Sequence, residues 1–115
     1  MSSAMAKEKV VFLKYKPDPA AAVPTYDRYT LENVVVRELF GADAEGSDTG
    51  NAMVYVMDNI SVCHARNGRV VAFPRPAKGD RCILHVGTDS EINLRVAEAG
   101  YFNGVTLAHT RIKLK

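Results

Sequence analysis

Tryptophan is absent, cysteine occurs only at Cys63 and Cys82, and no apolar run exceeds a few residues. Each shortage excludes something. Two cysteines cannot build the disulfide framework of a small secreted scaffold, and they fit a reducing compartment. Runs this short fall well below the roughly 20 residues a membrane-crossing helix needs, so no membrane partner is expected. Met1-Ser-Ser-Ala-Met-Ala6 has no apolar core and does not read as a secretory signal. Charge of one sign is also scarce. A formal net charge of +2 is too small to predict nucleic-acid or membrane binding from the total.

What remains is a chain of 115 residues, the length of one domain. Such a chain buries roughly two-thirds of its unfolded surface, enough for a core without metal or disulfide support. Val10-Val-Phe-Leu-Lys-Tyr15 is a short apolar run halted by Pro17 and Pro19. Asp18 to Pro24 reads as a linker, which makes residues 1–24 a flexible N-terminal arm and residues 25–115 the body. The body opens on Thr25 to Glu38, a long β-branched and aromatic strand. Gly41 to Asn51 is small, polar and acidic and predicts a mobile loop. A second apolar strand, Met53-Val-Tyr-Val-Met57, follows it.

Asn67-Gly68 and Asn103-Gly104 each lie between apolar runs and predict type I′ hairpin tips. The first joins Ile60–Ala65 to Arg69–Phe73; the second joins Ile92–Phe102 to Val105–Leu114. Pro74 and Pro76 break the chain between them, and Lys78-Gly79-Asp80 turns it into Arg81–Val86. Ser90 to Gly100 fits either a helix capped by Asp89 or Ser90, or a strand alternating Ile92, Leu94 and Val96. The strand is favoured, since the second Asn-Gly turn needs a partner. Val105 and Leu107 share one face while Ile112 and Leu114 take the other, which calls for a bulge near His109. The fold class is therefore all-β: a small antiparallel barrel or sandwich of seven or eight strands.

Candidate chemistry is thin. Cys63-His64 and Cys82-x-x-His85 carry zinc-ligand types, but in strands the members of each pair point to opposite faces. Buried structural cysteines and edge histidines are the better reading. No serine or cysteine stands in a local nucleophile–histidine–acid pattern. The glycines lack the strand–loop–helix setting of a phosphate cradle. No catalytic residue, cofactor or metal is assigned, and the chain is not expected to be an enzyme. Lys7, Lys9, Lys14 and Lys16 near one end, and Arg111, Lys113 and Lys115 at the other, read first as solvent faces or edge protection. With Tyr15, Tyr26, Tyr29 and Phe73 they also suit a single-strand nucleic-acid binder.

Three stretches in order carry a resemblance. Tyr26-Asp-Arg-Tyr29-Thr-Leu31-Glu-Asn-Val34 opens it, Met53–Met57 follows after the polar insertion, and Pro76-Ala-Lys-Gly79-Asp80 then leads to Gly87. A terminal strand with a histidine, Ala108 to Lys115, completes the pattern. Together they resemble the small minor capsid proteins encoded beside the head and neck genes of tailed bacteriophages. Thr110 and Asp58 stand where that family often has tryptophan and proline. The resemblance implies a non-enzymatic head–tail connector of the virion, a neck or stopper-like β-barrel made in the host cytoplasm. It implies a homo-oligomeric ring, sixfold or twelvefold, that meets portal, neck or tail proteins and touches packaged DNA non-specifically. Under that reading Val10, Val11, Phe12 and Leu13 form a docking arm, and Asp43, Glu45 and Asp48 a channel or interface loop. Tail-tube and capsid-associated proteins, and a β-barrel module for single-stranded nucleic acid or a host protein, are the alternatives.

Overall fold

A run of four consecutive apolar residues, Val10–Leu13, sets one wall of the fold. In β1 (Glu8–Lys16), Val10 and Phe12 turn inward and are almost fully buried. The computed structural model describes residues 8–38, 52–104 and 107–115. The remaining strands are β2 (Thr25–Glu38), β3 (Ala52–Met57), β4 (Val62–Ala65), β5 (Arg81–Leu84), β6 (Ile92–Phe102) and β7 (His109–Leu114). All pairings between strands are antiparallel. Neighbours run β1-β5-β6-β7-β3-β2, and β2 returns to β1, which closes a six-stranded barrel. The seventh strand, β4, lies against β2 outside that ring.

One strand serves three partners because it bends. Asn33 sits at φ 58°, in the left-handed region that asparagine tolerates better than most side chains. It is skipped in the ladder, where Glu8 faces Val34 and Lys9 faces Glu32. Tyr29 to Glu32 then pair with β4 and Val35 to Glu38 with β3. Ser61 pins the bend: its hydroxyl donates to the Asn33 carbonyl at 2.7 Å and accepts from Met57 N–H at 2.8 Å. Phe12, Leu31, Val34, Val54, Leu84, Ile112 and Leu114 fill the interior. Phe12 meets Phe73 edge-on at 5.1 Å, so the segment after the first hairpin plugs the barrel beside β1.

Several expectations are redrawn. The first strand is no separate arm: β1 pairs with β2 along its whole length and with β5 from Val11 to Leu13. The barrel thus begins at β1, not at residue 25; prolines 17 and 19 end a strand without detaching it. Ser90–Gly100 falls on strand and turn, as favoured. The Asn67-Gly68 hairpin exists, but only Gly68 takes a positive φ, 89°. Gly68 N–H donates to Ala65 O, and Ala65 N–H to Arg69 O, which is the three-residue turn with a glycine bulge and not type I′. Its return arm bridges only at Val70 and then runs free of any strand. At the second tip neither Asn103 nor Gly104 has a positive φ, and β7 starts only at His109. The connection is long, so no two-residue turn is needed. The register slip lies in β6, between Val96 and Glu98, not near His109. Leu107 precedes β7 and is exposed, which removes the conflict that asked for a bulge there.

Candidate assembly edge and barrel mouth

The Pro76–Asp80 turn is fastened by its last residue. Asp80 is the one charged side chain buried among the described residues, 1% exposed. Its carboxylate accepts from Tyr15 N–H at 2.8 Å, Ala77 N–H at 2.8 Å and the Lys14 ammonium at 3.0 Å. Lys14 also donates to Arg75 O at 2.6 Å. Asp80 O receives Val96 N–H, so one residue ties β1, the turn and β6 together. Gly79, at φ 101°, supplies the backbone reversal that aims the carboxylate inward. Reading Lys78-Gly79-Asp80 as a turn alone misses this clasp; the signal is an acid directly before a strand, with lysines in the first strand to meet it.

A cavity of about 560 Å³ lies between β3, the β6–β7 hairpin and the extended Val71–Pro76 segment. Val56, Cys63, Phe73 and Ala99 give it apolar walls, and Asp58, Ser61, Arg75 and Tyr101 stand as its polar groups. Tyr101 donates its hydroxyl to the Asp58 carboxylate. That bond, followed by desolvation and the negative charge of Asp58, raises the phenol's pKa above its ordinary value.

Beside this cavity one edge of β6 is unpaired among the described residues. β5 covers β6 only from Ile92 to Arg95, and Val96 N–H is taken by Asp80 O. Ala97 is skipped in the register, and from Glu98 to Phe102 β6 pairs, among the described residues, with β7 alone. Arg95 and Lys115 exchange both backbone bonds. By the two-residue parity of the ladder, Glu98, Gly100 and Phe102 then face β7, while Ala99 and Tyr101 present N–H and C=O to the open side. Ala99 to Phe102 are all exposed.

The outer face of the same strands is basic. Register rows run Arg37–Met53–Lys113–Glu98, Val35–Tyr55–Arg111–Gly100 and Arg81–Arg95–Lys115. At the hairpin's tip Phe102 stacks on His109 at 5.3 Å, Tyr55 meets His109 at 5.7 Å, and the Arg111 guanidinium sits 4.4 Å from the Phe102 centroid.

The residues singled out from sequence divide as follows. Val10, Val11 and Phe12 are buried in this chain's own wall and Leu13 is half-buried on it, so none is available as an arm in this structure. Asp43, Glu45 and Asp48 lie outside the described residues. Cys63 and Cys82 are free and buried; desolvation pushes their thiols up to about 11 and about 12. The Asp80 carboxylate adds to the rise at Cys82. His64 lies 3.3 Å from Glu32, and His85, at φ 54°, lies 3.2 Å from Glu38. Among the described residues no three histidine, cysteine or acidic side chains gather as metal ligands would.

Fold and site define a small closed antiparallel β-barrel in which, among the described residues, the end of β6 has one unpaired edge with a cavity beside it. Comparison with family models, curated proteins and solved structures finds no match to the chain.

Proposed function

We propose that this chain is a structural protein of a tailed-phage virion, a head–tail connector component that acts by assembling into a ring. The order of the Tyr26–Val34, Met53–Met57 and Pro76–Asp80 segments supports the family. The observation that carries the mechanism is the uncapped β6 edge. An exposed strand edge is a template for pairing with another chain, and folded proteins normally blunt it. Here, among the described residues, Ala97 to Phe102 stand uncovered, carry no proline, and have a cavity beside them that would receive side chains of an added strand. The contact is heterologous, edge to a different surface, and repeated about an axis it closes a ring. Catalysis finds no comparable support, since the two thiols are buried and protonated.

The test is to epitope-tag the chain in its native genome, purify released particles and locate the tag by electron microscopy. Label at the junction of head and tail is expected, and loss of tails or of packaged DNA with Ala99→Pro, which blocks an outward N–H. Particles free of the chain, or fully infectious particles carrying the variant, would refute the assignment.

A further inference from the structure

The β6 edge has a counterpart on the same chain. β2 pairs with β1 from Thr25 to Val34 but with β4 only from Tyr29 to Glu32. Along residues 25–28 its second edge is therefore unpaired among the described residues. Two contacts fix which groups that edge shows. Tyr15 N–H turns away from β2 to Asp80, so it is Lys14 that bonds across to Asp27. Ala65 spends both its backbone groups on the first hairpin, so Thr30 and not Tyr29 bonds to β4. By either route Tyr26 and Arg28 direct N–H and C=O to the open side.

On the reading of the β6 edge as an added-strand site, parity leaves one antiparallel register in which both pairs of outward residues meet. It sets Ala99 opposite Arg28 and Tyr101 opposite Tyr26. A shift of two residues brings Ala99 against Thr30, which β4 occupies, or Tyr101 against Pro24, which has no N–H. The register slip at Ala97 lets β6 bend away where β4 begins on β2. A recess of about 540 Å³ along the β2 edge, lined by Tyr26, Arg28, Tyr29, Arg66 and Asn67, leaves room for the incoming hairpin.

The side chains agree with that register. Tyr15 and Tyr26 already meet edge-on at 5.9 Å, and Tyr101 would extend their row, so that two exposed phenols flank Tyr26. On the opposite face Asp27 falls across from Gly100, whose partner in β7 is Arg111. Glycine puts no side chain between them, and the Arg111 guanidinium already leans over β6, 4.4 Å from the Phe102 centroid. Among the described residues Arg111 has no carboxylate within 4.0 Å, and Asp27 has only Lys16, at 3.9 Å and mostly exposed.

The geometry points to residues 25–28 of a second copy as the strand that pairs with the β6 edge. Each copy offers both edges, so the contact is heterologous and repeats from copy to copy.

Disulfide trapping tests the register. Asp27 and Gly100 would form a non-hydrogen-bonded pair, with Cβ atoms about 5 Å apart and within reach of a disulfide. A Cβ at Gly100 meets only the Phe102 ring, at 3.6 Å, so Gly100→Cys is tolerated. Asp27→Cys mixed with Gly100→Cys under mild oxidant should give a covalent dimer that neither variant forms alone. Lys9→Cys mixed with Gly100→Cys should give none. In sedimentation of the full chain, Asp27→Arg and Arg111→Asp should each weaken self-association by about 10-fold, and together they should restore it. Tyr26→Pro removes an outward N–H without touching the β1 ladder and should give monomers. A chain that stays monomeric at about 1 mM and yields no cross-link would overturn the inference. So would failed trapping with an oligomer that Ala99→Pro still dissolves, which would leave the β6 edge in use by another guest. Label absent from the head–tail junction of particles would sink the connector reading and leave this contact standing.

Discussion

Removing the Asp80 carboxylate should be among the most damaging single changes to this barrel. In Asp80→Ala the amides of Tyr15 and Ala77 lose their acceptors, and Lys14 loses its counter-ion in a site where the acid is 1% exposed. A hydrogen bond to a charged group contributes about 1.5–3 kcal/mol, and breaking a buried ion pair from one side costs about 3–5 kcal/mol. These terms overlap, and the Lys14 side chain keeps 29% of its exposure, so the total should be about 3–4 kcal/mol. Asp80→Asn keeps one acceptor for Tyr15 but turns an amide toward Ala77 N–H or Lys14, and should cost about 2 kcal/mol. Lys14→Met leaves the buried carboxylate without its counter-ion but with both backbone donors, and should cost about 2 kcal/mol, still less than Asp80→Ala. The assay is urea unfolding followed by far-UV circular dichroism, with hydrogen exchange at the Tyr15 amide as a local reporter. Exchange there should rise in Asp80→Ala well before global unfolding. An Asp80→Ala midpoint within experimental error of wild type would refute the clasp, as would Lys14→Met proving costlier than Asp80→Ala.

Two further outcomes follow from backbone and burial. Asn33→Val should cost about 1–3 kcal/mol, since a β-branched residue resists φ 58°, whereas Asn33→Gly should stay within about 1 kcal/mol of wild type in the same assay. Equal costs would show that the bend does not depend on the left-handed conformation. Cys63 and Cys82 should resist a thiolate-selective alkylating reagent at pH 8 in the folded protein and react on unfolding, because burial raises both thiols from 9.0 to about 11 and about 12. The linked stability is present below the unfolded value. It falls as pH rises through 9.0 toward about 11, where only the unfolded chain has released its protons. Rapid labelling of either cysteine in the native state would contradict that burial.

The sequence announces its strands well wherever composition and turn residues agree. Met53–Met57 and Ile92–Phe102 appear close to their expected places because β-branched alternation is a local property. What it conceals is neighbourhood. Pro17 and Pro19 make Val10–Tyr15 look detachable, yet Val11 pairs with Ile83, a residue brought there only by closure of the barrel. The open edge is hidden for the same reason. Ala97–Phe102 reads as ordinary strand, and the shortness of β5 leaves it uncovered among the described residues. The basic face is half legible: alternation marks Arg111, Lys113 and Lys115, while Arg37, Arg81 and Arg95 join them only through register.

The position of β7 has a consequence for how the protein comes into being. It is the last of these seven strands in chain order, yet it sits between β3 and β6, and Leu114 faces Ala52 on one side and Val96 on the other. The barrel therefore cannot close while the ribosome still holds residues 109–114. Chains cut short before Ile112 keep two long strands with bare inner edges, the kind of surface that attracts chaperones and proteases. A copy lacking this strand is thus marked as incomplete until β7 slides into the gap.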